Sequence, residues 1–574
     1  MKSRLKLGDA LLLLGQENGE RPVYAVTLAV GCTAAPLTHF LAAYLQRALS
    51  RKVAVSTGIY GDFSGNLERA AHGDQETAAV LEWADLDPRL GIRNLGAWGR
   101  SAGDDILRVV GSRLDLIASV LEGRPHGSGI LLVPPSLPPA PVVPVAGYQR
   151  GVLELNLDAL LAAFLARIAA VPRVRIAGMS QLDIALPERV DAKAWLQAGF
   201  PYRIQFASAL AELIATAMCP PARHKGLITD LDNTLWAGIL GETGTDNVHW
   251  DLDHKAGHHG LYQRFVQALA EDGILIGVAT KNDPAPVELA LHRPDILLRP
   301  DSLFPIEAHW QPKTESAARI LSRWNIGPEA VAFVDDTPLE LELMKAAFPA
   351  MDCFLFPAND PEGVWTLLAK LRDLFGKLAI HEEDTLRTNS LRSSAQFSTA
   401  FQGAAQEDIL KNCGATLTIC RIGMPPDPRA LELINKTNQF NLNGIRYREA
   451  EWLKYLQAEN ASAWIVSYTD KFGALGKIAV LAGRQRQNRI EIDIWVMSCR
   501  AFSRRIEHAL TEFLLTVPGV DELALRYVRT DRNTPMREFL EQVTGHAADS
   551  DCILPRSLYD HHKPLLYMTM STGH

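Results

Sequence analysis

The chain has 574 residues, of which 47% are hydrophobic and 22% are charged, and its formal net charge is −8. This length predicts about three domains, and the composition is that of a folded globular protein rather than a disordered or fibrous one. An acidic chain has no general attraction for phosphate backbones, so we expect no nucleic-acid partner. No apolar run reaches the roughly 18 residues of a membrane span, so we expect no membrane insertion.

Seven cysteines are scattered along the chain, and none of them forms a CxxC pair. An odd number of unclustered cysteines is typical of reduced thiols, and these residues are not predicted to form a disulfide framework or a zinc site. We therefore expect a cytoplasmic protein.

The first block, 1–215, alternates predicted strands and helices. The apolar run Val23–Val30 ends at Gly31-Cys32-Thr33 and predicts a buried strand that enters a turn. A later run, Ile130–Val133, predicts another strand before a proline-rich loop. This alternation predicts an α/β sheet.

The same rhythm continues in the second block, 222–360. Apolar segments at Gly226–Thr229, Ile274–Ala279 and Ala330–Val334 predict strands, and helical patterns lie between them. Strands separated by helices in this way predict a parallel sheet.

The remaining residues divide into a charged, helical connector, 361–410, and a last block, 411–574, that mixes strands and helices. The strands predicted in the last block are Thr416–Cys420, Ala463–Tyr468, Lys477–Ala482, Ile490–Val496 and Leu523–Tyr527. Within the fourth of these, Ile490, Ile492, Ile494 and Val496 alternate with Glu491, Asp493 and Trp495, which predicts two distinct strand faces.

Acidic residues follow two of the predicted strands in the second block. Asp230-Leu231-Asp232 comes directly after the first strand, and Asp335-Asp336 comes directly after the third. Ligand chemistry in an open α/β sheet lies at the carboxyl ends of the strands. Asp230 and Asp232 suit the roles of nucleophile and proton donor in covalent phosphoryl transfer. The Asp335-Asp336 pair offers the oxygen ligands that Mg²⁺ prefers.

Further polar residues follow the neighbouring strand. Thr280, Lys281 and Asn282 would supply a hydroxyl and backbone amides to phosphate oxygens, and Lys313 would supply positive charge. About fifty residues separate Asp230 from Thr280, which leaves no room for a full cap domain. An open site suits a large or carrier-tethered substrate.

The segment Asp230-Leu231-Asp232-Asn233-Thr234-Leu235-Trp236-Ala237-Gly238 resembles the FkbH-like branch of the haloacid-dehalogenase (HAD) superfamily, as do His309–Lys313 and Phe333–Pro338. The resemblance implies a capless HAD-like Rossmannoid sheet with Asp230 as nucleophile and Asp232 as acid/base. It also implies phosphate binding by Thr280, Lys281, Asn282 and Lys313, and Mg²⁺ binding by Asp230, Asp232, Asp335 and Asp336. Thr280 and Thr337 stand where Ser and Asn are more usual.

In the last block, Cys499 lies between a predicted strand and an amphipathic helical pattern, beside Arg500, Arg504 and Arg505. A helix N-terminus and nearby cations favour a reactive thiolate, although a cysteine at such a junction also serves packing.

Three segments of this block, Leu433–Asn441, Asp470–Gly473 and Trp495–Arg500, resemble the C-terminal part of longer FkbH-like proteins, which is similar to the α+β GNAT acyltransferase fold. Ser503 and the arginines stand where glycines would admit a pyrophosphate. The pattern therefore favours a carrier protein's phosphopantetheine arm over coenzyme A, with Arg500, Arg504 and Arg505 as carrier-binding residues.

The Gly31-Cys32-Thr33 turn resembles the start of an SGNH-hydrolase-like domain. No GDS triplet stands there, and no DxxH motif lies in 150–215. We therefore expect a degenerate α/β domain that serves docking or covers an active site.

Together the resemblances imply an enzyme that dephosphorylates a 1,3-bisphosphoglycerate-like acyl donor and transfers the glyceryl-type unit to an acyl carrier protein in polyketide or secondary-metabolite biosynthesis. Mg²⁺ would assist at Asp230, and Cys499 would form a thioester. Two alternatives stay open: an Mg²⁺-dependent HAD phosphomonoesterase acting on a free small metabolite, and a non-catalytic scaffold of a biosynthetic complex.

Overall fold

The structure is a computed structural model of the chain. It describes residues 4–16, 23–94, 98–123, 129–179, 182, 188–220, 224–377 and 406–573. The chain divides into two compact units, Met1–Pro221 and Ala222–His574. None of the helices in the described ranges is both long and apolar enough to cross a bilayer.

The N-terminal unit contains a five-stranded parallel sheet of order β2-β1-β3-β4-β5. Its strands are β1 (Tyr24–Val30), β2 (Val53–Thr57), β3 (Glu76–Val80), β4 (Ile130–Val133) and β5 (Val174–Ile176). Its helices are Leu7–Leu14, Ala35–Leu49, Phe63–Ala71, Trp83–Leu86, Gly103–Glu122, Val152–Ala169, Ala192–Ala198 and Ile204–Met218. The predicted α/β class is confirmed, because strands from the apolar runs are buried beneath helices.

The second unit begins with another five-stranded parallel sheet, of order β10-β9-β6-β7-β8. Its strands are β6 (Gly226–Thr229), β7 (Leu275–Thr280), β8 (Leu303–Ala308), β9 (Val331–Asp335) and β10 (Asp352–Leu355). Its helices are Leu240–Thr243, Gly257–Glu271, Pro284–Leu291, Lys313–Trp324, Pro338–Ala347 and Pro361–Phe375. Gly226 and Gly277 allow the helix Lys313–Trp324 to lie close to the sheet. A Cβ at either position would come within 3.0 Å of the Trp324 indole.

The helix Pro361–Phe375 corrects the predicted connector. Val364, Leu367, Leu371 and Phe375 are buried in the same apolar cluster as β6 and β7. These residues therefore belong to the second sheet domain rather than to a linker. The rest of the predicted connector, 378–405, lies outside the described residues.

The last part of the unit contains an eight-stranded mixed sheet whose main path is β17-β16-β15-β14-β13-β11-β18. Its strands are β11 (Thr416–Arg421), β12 (Phe440–Asn441), β13 (Ala461–Asp470), β14 (Gly473–Arg486), β15 (Arg489–Met497), β16 (Glu522–Leu525), β17 (Cys552–Pro555) and β18 (Thr569–Gly573). Its helices are Gln406–Asn412, Pro428–Lys436, Glu449–Leu456, Ile506–Thr516, Thr534–Thr544 and Arg556–His562. Only the pairs β15/β16 and β11/β18 are parallel, so this part is α+β as predicted.

A register shift between β14 and β15 changes the predicted faces of β15. The shift lies between Ala482 and Gly483, opposite the stretch from Ile494 to Ile492. Ile490 and Ile492 pack in one core cluster with Trp495, whereas Ile494 and Val496 pack in another. The simple alternation predicted along β15 is therefore wrong beyond Ile492, because a bulge reverses which residues face which layer.

Candidate active site

Three carboxylates meet at the carboxyl edge of the β10-β9-β6-β7-β8 sheet. Asp230 follows β6, Asp335 ends β9, and Asp336 comes next. Because β6 and β9 pair in parallel with Thr229 opposite Val334, Asp230 and Asp335 are neighbours across the two strands. One ligand oxygen from each carboxylate lies within 4.8 Å of the others. The sequence prediction that these side chains converge is met.

Lys313 completes this group from the first residue of the helix Lys313–Trp324. Its Nζ lies 2.8 Å from Asp230 Oδ1 and 2.7 Å from Asp335 Oδ2, so one ammonium bridges two carboxylates. All three side chains are almost fully buried. Charge-assisted contacts of this length in a buried site hold the geometry of the cluster.

Burial and unequal charge set the electrostatics of this cluster. Burial raises the pKa of Asp230 to about 7, with Lys313 opposing the shift and Asp335 adding to it. Burial alone would lower the pKa of Lys313, but the two adjacent carboxylates raise it, so the ammonium stays charged. Burial and the Asp335 charge also raise the pKa of Asp336. One buried ammonium faces two buried carboxylates and a third partly buried one, so negative charge is in excess.

The donor set fits a hard divalent cation. Carboxylate oxygens are the ligands that Mg²⁺ prefers, and Asp230, Asp335 and Asp336 present them from two adjacent strand ends. A divalent ion here would offset the surplus negative charge beside Lys313. The cluster therefore combines a metal-binding edge with a fixed ammonium.

Asp232 has a different environment from the one predicted. Its Oδ1 accepts hydrogen bonds from Trp236 Nε1 (2.9 Å) and the Leu240 amide (3.1 Å), and its Oδ2 accepts one from Asn282 Nδ2 (3.0 Å). Among the described residues, Asp230, Asp335 and Asp336 form a cluster close enough to share a metal ion, and the Asp232 carboxylate is not part of it. The prediction that its side chain is a metal ligand is corrected, because three donors fix its two oxygens beside the cluster.

The residues at the end of β7 have two different sets of partners. Thr280 and Asn282 are buried, and Asn282 Nδ2 donates to Thr280 Oγ1 (2.9 Å) as well as to Asp232. Lys281 is paired with Glu340 through a 2.6 Å contact. Thr280 and Asn282 therefore remain at the carboxyl edge as predicted phosphate-binding residues. The Lys281 ammonium pairs with Glu340, so the predicted contribution of Lys281 depends on its backbone amide and stays a prediction.

Sequence reasoning missed the residues that hold the loop after β6. His259 Nδ1 contacts the Thr234 carbonyl oxygen (3.0 Å), and Gln263 Nε2 donates to the Leu235 carbonyl (2.9 Å). Tyr262 donates to Thr229 Oγ1 (3.0 Å). The three polar residues are buried on one face of the helix Gly257–Glu271. Their spacing of three and four residues was the available signal, since it places them on one helix face.

The carboxyl edge has no cap domain. Between Asp230 and β7, a fully described stretch, the chain forms only the short helix Leu240–Thr243, a 3₁₀ turn and the helix Gly257–Glu271. Between Lys313 and Asp335 it forms one helix, a 3₁₀ turn and β9. The prediction of a capless site is therefore met.

The structure does not bring Cys499 to this cluster. Cys499 begins a three-residue 3₁₀ turn, Cys499–Ala501, and the α-helix begins only at Ile506. The placement at the start of the amphipathic helix is therefore corrected, because a left-handed Ser503 and Arg505 intervene. The side chain of Cys499 lies outside the described residues.

The three arginines near Cys499 do not form one surface patch. Arg504 is 2% exposed, and its Nε lies 3.1 Å from the buried Asp470 carboxylate. Arg505 is paired with Glu407 at 2.7 Å. Arg500 is largely buried, and its Nε donates to Ser498 Oγ at 3.3 Å. The prediction of a carrier-binding surface is corrected for Arg504, because its guanidinium is buried and forms an ion pair with Asp470.

The neighbours of Cys499 line a cleft of about 740 Å³ within the second unit. Ser498 and Arg500 form part of its wall, and Lys225 and Leu275 form another part. Lys225 and Leu275 lie at the amino ends of β6 and β7, whereas the carboxylates lie at the opposite ends. Asp230 lies five positions after Lys225, a span of about 16 Å along a strand.

Along β15, the neighbouring strand changes from β16 to β12. The strands β15 and β16 pair only from Arg489 to Ile492, and farther along β15 the strand β12 pairs with Val496 and Met497. Asn533 Nδ2 donates to the Asn441 carbonyl of β12 (3.0 Å). The strand β12 therefore lies beside Val496 and Met497, where β16 no longer pairs with β15.

In the N-terminal unit, Cys32 stands at the carboxyl end of β1 as predicted. Burial raises the pKa of its thiol well above the usual range, and the nearby Asp85 and Glu82 carboxylates add to the shift. The Glu82 carboxylate accepts hydrogen bonds at its Oε1 from the Ser136 hydroxyl (2.6 Å) and the Tyr202 hydroxyl (2.9 Å). These surroundings disfavour a thiolate at Cys32.

The fold and site define an α/β protein whose second parallel sheet carries a cluster of carboxylates suited to a divalent cation at its carboxyl edge. The N-terminal part of the protein BF1531 from Bacteroides fragilis, described as containing a phosphatase domain complexed with Mg, is a similar solved structure. The match has a TM-score of 0.50 and 18% sequence identity over 65% of this chain and 100% of that chain, and at this identity it shows a shared fold.

An uncharacterized protein from Corynebacterium glutamicum matches with 17% identity over 27% of this chain and 98% of that chain, and the TM-score is 0.19. No family model matches the chain, and no curated protein matches it.

Proposed function

We propose that the second unit catalyses Mg²⁺-dependent phosphoryl transfer with Asp230 as the nucleophile. The observation that carries this proposal is the Lys313 ammonium, placed 2.8 Å from Asp230 and 2.7 Å from Asp335 at an edge that also presents Asp336. Few structural roles require a surplus of buried negative charge beside a fixed ammonium at the carboxyl ends of parallel strands. A site for a phosphoryl group and a divalent cation requires both.

The residues divide the reaction between them. Asp230 Oδ attacks phosphorus and forms an aspartyl-phosphate, while Asp232 protonates the leaving oxygen and then takes a proton from the attacking water. Lys313 and the Thr280 hydroxyl hold the phosphoryl oxygens. Mg²⁺ held by Asp230, Asp335 and Asp336 supplies charge neutralisation for the phosphoryl group. Trp236, Leu240 and Asn282 keep Asp232 oriented through their hydrogen bonds.

The test is hydrolysis of small phosphomonoesters by the full chain, measured as released phosphate with and without Mg²⁺. We expect Mg²⁺-dependent turnover that Asp230→Asn abolishes, because an amide cannot act as the nucleophile. Asp301→Asn is the matched control, since Asp301 is a well-exposed carboxylate of the same domain. Equal turnover in Asp230→Asn and the unmodified chain would rule out this role for Asp230.

We further propose that the physiological substrate is a phosphorylated three-carbon acyl donor and that the acceptor is an acyl carrier protein. Support comes from the two described intervals, Asp230 to β7 and Lys313 to Asp335, which hold no cap domain and so suit a large or tethered substrate, and from the cleft beside Ser498 and Arg500. In this scheme the Cys499 thiol attacks the acyl-phosphate carbonyl and releases inorganic phosphate, which leaves a thioester on Cys499. The carrier thiol then attacks that thioester, takes the acyl group and frees the Cys499 thiol. The Asp230 site then removes the remaining phosphate monoester.

The separation of the two sites sets a requirement for this scheme. Because the neighbours of Cys499 line a cleft at the amino edge of the sheet, a thioester formed there is about one strand length from Asp230. The long flexible arm of a carrier protein meets this requirement, whereas a direct transfer between fixed side chains does not.

Mass spectrometry of a holo-carrier incubated with the full chain, Mg²⁺ and 1,3-bisphosphoglycerate tests the scheme. We expect added glyceryl mass on the carrier, and loss of that mass with Cys499→Ala. Cys552→Ala is the matched control in the same domain, because burial raises the pKa of that thiol to about 11. A carrier that gains no acyl mass contradicts the acyl-transfer scheme, and full loading by Cys499→Ala removes Cys499 from it.

A second candidate is hydrolysis of a free phosphomonoester without any carrier. The observation that favours it is the same separation of Cys499 from Asp230. It predicts that phosphate release from small phosphoesters reaches its full rate without carrier. A rate that increases when holo-carrier is added would contradict it.

A further inference from the structure

A second group of metal-binding side chains lies in the loop between β6 and the helix Gly257–Glu271. His249, Asp251 and His254 offer ring nitrogens and a carboxylate oxygen that all lie within 4.8 Å of one another. His254 Nδ1 is 2.9 Å from both Asp251 oxygens, and His249 Nδ1 is 4.0 Å from Asp251 Oδ2. The two imidazole rings are stacked, with centroids 3.6 Å apart and planes at 5°.

Backbone hydrogen bonds tie this loop to the segment after β6 and close it into a turn. His249 exchanges two backbone hydrogen bonds with Ala237, of 2.8 and 3.1 Å. Asp251 Oδ1 accepts from the His254 amide (2.9 Å), and its carbonyl accepts from the Ala256 amide (2.9 Å). The three side chains are therefore held on one short, closed turn, so a ligand would meet them with little further ordering of the chain.

The donor separations match a tetrahedral transition-metal site. Bonds of about 2.0–2.1 Å from a zinc ion place tetrahedral ligands about 3.3 Å apart. The separations of Asp251 from His254 (2.9 Å) and from His249 (4.0 Å) lie on either side of that value. The two rings are stacked nearly parallel, so binding requires one ring to rotate about its side-chain torsions until both nitrogen lone pairs point at the ion. Imidazole nitrogens favour Zn²⁺ and similar ions over Mg²⁺, in contrast to the all-carboxylate cluster at Asp230.

The exposure of the three side chains leaves room for further ligands. His249 is 28% exposed, Asp251 45% and His254 53%. An ion bound here would be reached directly from solvent, and water would complete its coordination.

We propose that His249, Asp251 and His254 bind a Zn²⁺-class divalent ion at a site separate from the Asp230 cluster. This assignment does not depend on the proposed phosphoryl transfer. Its structural effect would reach Asp232, because Ala237, which pairs with His249, adjoins Trp236, the donor to Asp232 Oδ1. The bound ion would fix the segment that orients the predicted acid/base without contacting substrate.

The experiment uses the full chain without a polyhistidine tag, stripped with a chelator and then held in saturating Mg²⁺ to occupy the carboxylate cluster. Zn²⁺ binding is measured by calorimetry, and Co²⁺ binding is measured by its visible absorption. We expect one Zn²⁺ equivalent in the unmodified chain that His249→Ala/His254→Ala lacks. Asp251→Asn should weaken that binding at least tenfold while leaving both histidines in place.

The control is His292→Ala, which removes an exposed histidine of the same domain whose Nδ1 contacts only the Glu288 carbonyl in the structure. It should bind Zn²⁺ as the unmodified chain does. Circular dichroism establishes that the variants are folded, and Asp251→Asn decides the question if the double variant is not. Equal Zn²⁺ stoichiometry and affinity in the unmodified chain and the folded variants would overturn the proposal.

Discussion

Replacing Asp230 by Asn should stabilise the metal-free protein while abolishing its activity. The metal-free cluster has two buried carboxylates for one Lys313 ammonium. The pKa of Asp230 is about 7 in the fold and about 4 in an unfolded chain. Because this acid has a raised pKa, it costs no stability below about pH 4, and the cost grows as pH rises through about 7. A difference of roughly three pKa units corresponds to at most about 4 kcal/mol at pH 8.

The assay is thermal unfolding in excess chelator between pH 5 and pH 8. Asp230→Asn should exceed the unmodified protein by about 2–4 kcal/mol at pH 8, or several degrees in the transition of this domain, and by much less at pH 5. Added Mg²⁺ should stabilise the unmodified protein much more than the variant. Asp301→Asn should behave as the unmodified protein does, since its carboxylate is exposed. A variant that is less stable than the unmodified protein in chelator at pH 8 would refute the charge argument.

Three further predictions concern groups around and beyond the cluster. Asp232→Asn keeps an acceptor for its neighbours, so we expect a folded variant whose phosphate release is about 10²–10⁴-fold slower. Burial lowers the pKa of His259 to about 4, so the protein should lose up to about 3 kcal/mol as pH falls from 6.5 to 4. His259→Gln, which can still donate to Thr234, should lose less over that range in denaturant titrations. Arg504→Met leaves Asp470 buried and unpaired, so unfolding should show a loss of about 3–5 kcal/mol with turnover at Asp230 unchanged.

The site was predictable where it depends on local sequence. Asp230 directly follows β6 and Asp335 ends β9; both strands are buried on both faces, and such strands appear in the sequence as short apolar runs. Parallel pairing then brings their carboxyl ends together whatever the intervening chain does. The convergence of the cluster therefore followed from two local patterns and one rule of topology.

Five of the strands that the sequence did not reveal lie at the edges of their sheets. These strands are β5, β8, β10, β17 and β18, and each is the last strand on one side of its sheet. An edge strand exposes part of its surface and has one neighbour rather than two, so it needs fewer apolar residues. Thr569–Gly573 is the extreme case, since four of its five residues are exposed. Periodicity carries little information for such segments.

Arg504 shows a different limit. Three arginines within six residues suggested a charged surface, because an arginine is seldom fully buried without a partner. Its partner, Asp470, lies 34 residues earlier on β13 and comes within 3.1 Å only through folding. A local pattern does not contain such a long-range pair. The same limit applies to Asp232, whose donors lie four, eight and fifty residues away.

The placement of the two sites at opposite edges of one sheet also bears on the survival of a reactive donor. An acyl phosphate is activated only while its anhydride bond is intact, and attack by Asp230 on that phosphorus would release an ordinary carboxylate. In the proposed scheme, a donor bound in the cleft beside Ser498 and Arg500 would lie about one strand length from Asp230. Distance alone would then shield the high-energy bond from wasteful cleavage and expose only the phosphate ester that remains after the acyl group has moved.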